Sequence, residues 1–325
     1  MDLQQPKKII KEIVSRQKNI NSVVFVGCGA SKADLYPAKY FLENCSRTLK
    51  VSHYTANEFN YDPPAFLSEK TIVVSASLSG TTPETVKANE TAKAKNAHII
   101  SLTNDGDSAL AKSADYVIVH RFSESYEAKL EKMGYALALA VETVQQLEGY
   151  EHYEDMIAGF EKIYTLAQSS AESAKKFAKE FAENYKDAPV VYVVSSGASM
   201  EVAYSTSICL MMEMQWINSG YVNSGDFFHG PLEIVEKGVP FILMMNDGPT
   251  RHLDARVLTF LNRFNAKVTV IDALDYGLSS VIPKSVCNYF NPMLMVAVFR
   301  VYAEELANVR KHPLTKRRYM WKLKY

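Results

Sequence analysis

Short apolar runs alternate with longer amphipathic segments along almost the whole chain. Apolar runs of about four to eight residues are typical of buried strands, whereas apolar residues three and four positions apart are typical of helices. Helical segments separate the runs, which favours parallel sheets with helical crossovers and hence the α/β fold class. The predicted strands cover residues 22–26, 49–54, 71–75, 99–103, 116–119, 190–194, 240–245 and 267–271.

Two stretches of the chain are nearly alike. Residues 23–31 read VVFVGCGAS and residues 191–199 read VYVVSSGAS, and each is an apolar run that ends in small residues before a helix. The recurrence predicts two duplicated α/β halves. Helices are predicted at residues 7–19, 127–148, 153–185 and near 291–309. The predicted domains are therefore residues 1–165, with the N-terminal helix, and residues 166–325, with the C-terminal tail.

The composition narrows the class of protein. A chain of 325 residues with 47% hydrophobic and 22% charged residues is ordinary for a globular protein. Its 36 basic and 36 acidic residues balance, which argues against general nucleic-acid binding and against recruitment to an anionic membrane. The four cysteines have no metal-ligand spacing and indicate a reducing compartment. With a polar N-terminal segment and no apolar run of membrane-span length, we expect a cytoplasmic protein.

A loop rich in hydroxyl groups follows the predicted strand at 71–75. Residues 75–85 read SASLSGTTPET, and Thr82 and Pro83 are suited to the N-cap and first position of a helix. Hydroxyls, unpaired amides and the positive end of a helix dipole together can hold a phosphate. Neither a Walker sequence nor GxGxxG is present, which disfavours nucleotides. The alternative is an ordinary capped turn.

Two polar residues in the second half have the chemistry of acid–base catalysis. Glu213 lies on a largely apolar helical segment, where burial would favour its neutral form and let it accept a carbon-bound proton. His229 stands between Phe228 and Gly230-Pro231, a pair typical of a helix start that would fix the imidazole. A solvated glutamate paired with Lys or Arg, and a structural histidine, are the alternatives.

The C-terminal segment from Lys311 carries six cations interleaved with aromatic residues. A nucleic-acid tail would have this composition, but the neutral remainder of the chain does not favour that function. Three aromatic residues among the last seven favour a docked segment, which would supply positive charge over an anion site. Lys316 and Arg317 could meet the carboxylate of a bound amino acid, an assignment that rests on charge alone.

Together these motifs resemble the sugar isomerase (SIS) domain family of phosphosugar-handling proteins in its tandem form. The resemblance implies two SIS domains, each a parallel sheet flanked by helices in a flavodoxin-like three-layer sandwich. Residues 77–84, SLSGTTPE, are similar to the family's phosphate-binding signature SxSGxTxE, which implies that Ser77, Ser79 and Thr82 hold a sugar 6-phosphate. The Gly-Ala-Ser turns resemble the family's sugar-facing turns, which adds four predicted substrate-binding residues: Gly29, Ser31, Gly197 and Ser199.

The segments around Glu213, His229 and Lys322 are similar to bacterial fructose-amino acid 6-phosphate deglycases. The resemblance implies hydrolysis of a phosphorylated Amadori compound to glucose 6-phosphate and a free amino acid, without a metal or other cofactor. It makes Glu213 the base and His229 the acid. Residues 318–322 are spaced like the tail of the related glucosamine-fructose-6-phosphate aminotransferases, in which a tail lysine reaches the sugar, and this similarity makes Lys322 a candidate for that role. The family resemblance also implies a homodimer with active sites at the subunit interface, where either subunit could supply His229. Asp226 stands where the family usually has Glu, so the role of that carboxylate is open.

Two other functions remain open at this point. A phosphosugar aldose–ketose or amino-sugar isomerase would share the enediol-type proton transfer, and only the leaving amine distinguishes a deglycase from it. A non-catalytic phosphosugar sensor would use the same fold, but the sequence contains no helix-turn-helix region and no surplus of basic charge. A sensor would also leave Glu213 and His229 without a role.

Overall fold

The computed structural model describes residues 1–324, and the chain divides into two compact units, Met1–Glu161 and Lys162–Tyr325. The strands of the first unit are β1 (Ser22–Gly27), β2 (Lys50–Thr55), β3 (Thr71–Ala76), β4 (His98–Thr103) and β5 (Tyr116–Val119). Its helices are α1 (Gln4–Arg16), α2 (Gly29–Cys45), α3 (Ala56–Tyr61), α4 (Pro83–Lys93), α5 (Ala109–Ser113) and α6 (Glu131–Leu147). A long helix, α7 (Tyr153–Tyr185), begins in the first unit and continues into the second.

The five strands of the first unit form one parallel sheet in the order β2-β1-β3-β4-β5. β1 and β3 are buried along their whole length, because every position of these apolar runs faces a covered side of the sheet. Gly27 pairs with Ala76, so β1 and β3 end at the same level. The loops that follow these two strands therefore start side by side at the carboxyl edge of the sheet.

The second unit repeats this architecture with fewer strands. Its strands are β6 (Val190–Ser195), β7 (Asn218–Asn223), β8 (Pro240–Met245) and β9 (Lys267–Asp272), and they form a parallel sheet in the order β7-β6-β8-β9. Its further helices are α8 (Met200–Ser205), α9 (Arg251–Arg263), α10 (Leu278–Val281) and α11 (Asn291–Val309). Parallel sheets flanked by helices in both units confirm the predicted α/β class.

Two elements differ from the predictions. The strand β7 was not predicted, because it is a polar edge strand in which no residue is fully buried, so it has no apolar run. The first helix starts at Gln4 rather than residue 7, since Pro6 is tolerated in the first turn of a helix. Within residues 1–324, none of the helices is both long enough and apolar enough to cross a bilayer.

Candidate active site

The turn from β1 into α2 brings two parts of the backbone unusually close. A Cβ atom on Gly27 would lie 2.9 Å from the Lys32 backbone nitrogen, so only glycine fits without a shift. Gly29 has a φ of 52°, and the Ser31 N–H donates to the Cys28 carbonyl at 3.1 Å. The turn is therefore held tightly at the end of β1. That Gly29 and Ser31 face a sugar stays a prediction.

The loop between β3 and α4 carries the hydroxyls of the predicted phosphate site. Ser77 Oγ lies 2.9 Å from Thr82 Oγ1, and Ser79 Oγ lies 2.7 Å from Thr81 Oγ1. Pro83 is the first residue of α4, as predicted, but the Thr82 hydroxyl makes no capping hydrogen bond. Within residues 1–324, the backbone N–H groups of Ser79 and Thr82 donate to no acceptor. The loop therefore offers hydroxyls, amides and a helix N-terminus to an anion.

The sheet topology gives this loop a typical place for a ligand site. Because β2 and β3 lie on opposite sides of β1, the winding of the sheet reverses between β1 and β3. Ligands of open α/β sheets bind in the crevice outside the carboxyl ends of such strands. Gly80, with a φ of 66°, shapes this side of the crevice, since a Cβ there would lie 2.1 Å from Ser108 Oγ. The first unit thus has both a crevice and anion-binding groups beside it.

A buried lysine that sequence reasoning missed lies beside the Ser31 turn. Lys132, in the first turn of α6, donates to Ser31 Oγ at 2.8 Å and forms an ion pair with Asp34 Oδ2 at 3.0 Å. Burial raises the pKa of the Asp34 carboxyl, and the Lys132 ammonium opposes that shift. The one sequence signal is the charged pair Glu131-Lys132 at the start of an otherwise mainly apolar helix. Lys132 ties α6 to the predicted sugar-binding turn.

In the second unit, side chains that follow β6 and β8 hydrogen-bond to each other at the carboxyl edge of the sheet. Ser199 is buried, and its hydroxyl donates to Asn246 Oδ1 at 2.7 Å. The Asn246 backbone N–H donates to Asp254 Oδ2 at 3.0 Å, and Ser224 Oγ donates to Asp254 Oδ1 at 2.6 Å. Burial raises the pKa of Asp254, and these hydrogen bonds oppose the shift. Gly197 opens this turn with a φ of 50°. Sugar binding by Gly197 and Ser199 stays a prediction.

Glu213 lies on a π-helix of nine residues, Thr206–Met214, which follows α8. Short π-helical segments are frequent at functional sites. Glu213 Oε1 accepts a hydrogen bond from Arg317 Nη2 at 2.6 Å, and the two side chains are only 24% and 8% exposed. Burial raises the pKa of Glu213, and the Arg317 guanidinium opposes that shift. The glutamate is therefore both largely buried and paired with a cation.

An open pocket of about 560 Å³ adjoins the Glu213 carboxylate. Its charged lining residues are Glu213, Arg317 and Arg318, and its other walls are the side chains of Met, Trp, Ile, Asn and Tyr residues. The pocket is open enough for a ligand to enter and carries more positive than negative charge. It can therefore hold an anionic group beside a carboxylate that accepts protons.

The tail reaches this pocket through Trp216. The His312 ring contacts Trp216 edge to face with centroids 4.5 Å apart, and the Arg318 guanidinium carbon lies 4.3 Å from the same ring centroid. Lys316 Nζ lies 5.1 Å from that centroid. Tyr319 and Met320 also line the pocket, so the tail is docked as far as Met320, as its composition suggested, whereas Trp321 is 79% exposed.

Two of the predicted catalytic residues do not line the Glu213 pocket in the described chain. His229 is exposed on the turn after β7, where its backbone N–H donates to the Asp226 carbonyl at 2.9 Å. Pro231 begins a short 3-10 helix, so the predicted helix start is present, but the imidazole stays exposed. Lys322 is also exposed, and within residues 1–324 its ammonium makes no ion pair. Nothing in the structure explains Asp226, and the roles of His229 and Lys322 stay predictions.

Comparisons with known proteins give the chain its relatives. Residues 18–146 match the SIS domain. The chain is 40% identical to fructosamine deglycase FrlB of Bacillus subtilis (strain 168), over 95% of this chain and 94% of that protein. It is 26% identical to fructoselysine 6-phosphate deglycase of Escherichia coli (strain K12), over 96% of this chain and 88% of that protein. A crystal structure from Salmonella typhimurium LT2, whose protein is provisionally assigned as a phosphosugar isomerase, superposes with a TM-score of 0.97 at 39% identity and covers 99% of this chain and 97% of that chain.

Proposed function

This chain belongs to the SIS domain family, and from that premise we propose that it is a deglycase acting on a 6-phosphorylated fructosamine. Identity of 40% with a fructosamine deglycase over nearly the full length of both chains supports this class of enzyme. The observation that carries the proposal is Glu213, a largely buried carboxylate at an open pocket. The substrate is an Amadori compound formed from an amino acid, and the products are glucose 6-phosphate and the free amino acid.

The proposed reaction needs one base and one acid. An Amadori compound has a ketone at C2 and its amino group on C1. Glu213 removes a proton from C1 while an acid protonates the C2 oxygen, which gives an enaminol, and a proton returned to C2 gives the imine of glucose 6-phosphate. Water then adds to the imine carbon and the amine leaves. The burial that raises the pKa of Glu213 supports its role as base, because a more basic carboxylate takes a carbon-bound proton more readily.

The phosphate of the substrate is bound by Ser77, Ser79 and Thr82 in this proposal. Support comes from the amides and hydroxyls that the β3–α4 loop offers beside the crevice of the first sheet. Gripping the end of the sugar remote from C1 provides binding energy that orients the reacting end. Gly29 and Ser31 bind the sugar from the neighbouring turn.

The acid is His229, supplied by a second subunit of a homodimer. Support for this assignment is that His229 is exposed and does not line the Glu213 pocket of its own chain within residues 1–324. A two-fold dimer places the same surface of each subunit against its copy, so a residue on that surface enters the partner's site in both directions.

The test is release of glucose 6-phosphate from a panel of 6-phosphorylated Amadori compounds, measured with a coupled dehydrogenase. Fructose 6-phosphate and glucosamine 6-phosphate serve as controls. Turnover of a conjugate with an equimolar amount of free amino acid is the expected result. Activity on the controls alone would assign the chain to the isomerases, and binding without any turnover would make it a sensor.

A further inference from the structure

The Glu213 pocket is arranged for an anionic group in addition to its own carboxylate. The lining of this pocket contains two guanidinium groups, those of Arg317 and Arg318, and one carboxylate, that of Glu213. Lys316 lies against the ring of Trp216, another lining residue. Most of the remaining lining is apolar, so the two guanidinium groups are the cationic groups that an anion in this pocket would meet. The phosphate already has its proposed place on the β3–α4 loop. The pocket is therefore available to a different anionic group of the substrate.

Arg317 has the donors for such a group. Its side chain is 8% exposed, and its Nη1 donates to the carbonyls of Leu314 at 2.7 Å and Lys316 at 3.0 Å, while Nη2 holds Glu213. The Arg317 Nε is buried and has no hydrogen-bond partner in the part of the chain from 1 to 324. A buried N–H without an acceptor is unfavourable, and a carboxylate is the group that matches a guanidinium edge. Because this Nε is shielded from solvent where it stands, a carboxylate in the pocket meets it only when the Arg317 side chain moves away from Glu213.

Building on the proposed function, we propose that Arg317 binds the carboxylate of the substrate's amino-acid portion and thereby releases Glu213 for proton transfer. In a conjugate made through the α-nitrogen, one carbon separates the carboxylate from the nitrogen on C1, the carbon that Glu213 deprotonates. A guanidinium in contact with Glu213 is therefore within reach of that carboxylate. In a conjugate made through the side-chain nitrogen of lysine, the carboxylate is several bonds further away. The substrate class is thus an amino acid linked through its α-nitrogen.

The exchange of partners also makes Glu213 a better base. While Arg317 holds Glu213, the cation stabilises the charged carboxylate and makes it less basic. When the substrate carboxylate takes over the guanidinium, Glu213 keeps its buried surroundings but loses part of this stabilisation. A substrate without a carboxylate leaves the Arg317–Glu213 pair in place. Arg317 thus selects the substrate by making its carboxylate a condition for efficient proton abstraction.

The experiment compares two nearly isosteric substrates, the 6-phosphorylated fructosamines of glycine and of glycinamide. Wild-type protein is expected to show a kcat/KM for the glycine conjugate about tenfold to a hundredfold above that for the glycinamide conjugate. Arg317→Gln is expected to lose this preference through a lower kcat/KM for glycine, with that for glycinamide unchanged or raised. Lys324→Gln removes an exposed cation of the same tail outside the pocket lining and serves as the matched control that retains the preference.

The outcomes separate this inference from the proposed function. If wild-type protein turns over neither conjugate nor any other member of the panel, the proposed function fails. If wild-type protein turns over both conjugates equally, or prefers a lysine conjugate linked through the side chain, the proposed function stands and the inference is overturned, whether or not Arg317→Gln folds. Equal loss on both substrates in Arg317→Gln would assign Arg317 a structural role only and would also overturn the inference.

Discussion

The Lys132 ammonium donates to Ser31 Oγ at 2.8 Å, and this contact decides what the Ser31 hydroxyl can do. An ammonium has donors but no acceptor, so the serine oxygen must accept and its own proton stays available. Ser31 is half-buried, and within residues 1–324 its hydroxyl proton has no acceptor. Lys132 thus prepares Ser31 to donate to a ligand at the turn after β1.

Lys132→Met is expected to lower the free energy of unfolding by about 3 kcal/mol, because it leaves the Asp34 carboxyl without its cation in a buried place. Adding Asp34→Asn should recover part of that loss, since the amide needs no counter-charge. Urea unfolding of the two single variants and the double variant measures the coupling. Lys112→Met, at an exposed lysine of the same unit, is the control, and additive effects would contradict the pairing.

Glu213→Gln is expected to lower kcat on the preferred fructosamine 6-phosphate by about a thousandfold, because the amide cannot accept the C1 proton. Binding of glucose 6-phosphate should persist. Steady-state kinetics and calorimetric titration measure the two effects. Glu236→Gln, at an exposed glutamate of the same unit, controls for the loss of one carboxylate. Wild-type turnover by Glu213→Gln would remove the residue from the mechanism.

The double variant Ser77→Ala, Ser79→Ala is expected to bind glucose 6-phosphate at least about tenfold more weakly, because each lost hydroxyl removes a hydrogen bond to phosphate. The dissociation constant from calorimetry gives the effect, and the change should be much smaller for unphosphorylated glucose. Ser15→Ala, on the exposed face of α1, is the matched control. An unchanged dissociation constant would mean that the β3–α4 loop does not hold the phosphate.

Mixed dimers provide a test of His229. Glu213→Gln and His229→Asn chains should each be nearly inactive alone, and mixing them should restore about a quarter of wild-type activity if each site takes its histidine from the partner. Random exchange makes half of the dimers mixed, and each mixed dimer has one intact site. Activity of subunits mixed under mild denaturant measures the recovery. No recovery, despite mixed dimers seen by mass spectrometry, would place both residues in one subunit's site.

Acidification is expected to destabilise the first unit through His120, which is buried, and His53, which is half-buried. Burial lowers the pKa of His53 to about 3 and that of His120 to about 4. In the unfolded chain each histidine binds its proton near the ordinary histidine pKa of about 6.5. The free energy of unfolding therefore keeps its full value above that pH and decreases as the pH falls below it. Each histidine should contribute a loss of about 2 kcal/mol at pH 5.

Comparison of wild-type protein with His53→Gln isolates this effect. The raised pKa values of Asp34 and Asp254 act in the opposite direction, because the folded state then holds more protons than the unfolded chain, but they cancel in the difference between the two proteins. The difference in unfolding free energy between pH 7 and pH 5 should be smaller in His53→Gln. His252→Gln, at an exposed histidine, is the control. An equal pH dependence in wild-type protein and His53→Gln would contradict the prediction.

The sequence by itself determined the parallel α/β fold, the duplication and the β3–α4 loop. These features are local, since a buried strand appears as an apolar run and a tight turn as Gly-Ala-Ser. The loop could be recognised because its hydroxyls and Pro83 lie within a few positions of one another. Even so, the polar edge strand β7 was missed, because an edge position does not require an apolar run.

Only the tertiary structure decided which charges meet. Lys132 and Ser31 are 101 positions apart, and Arg317 contacts Glu213 from the C-terminal tail, about a hundred positions further along the chain. The local sequence does not identify the partner in either pair, because a cation and its partner need only be close in space. The same reason explains the second crevice, where burial commits the Ser199 hydroxyl to Asn246 although the local sequence repeats that of Ser31. Chain folding, and not the motif, determined which of the two turns keeps a hydroxyl proton for a ligand.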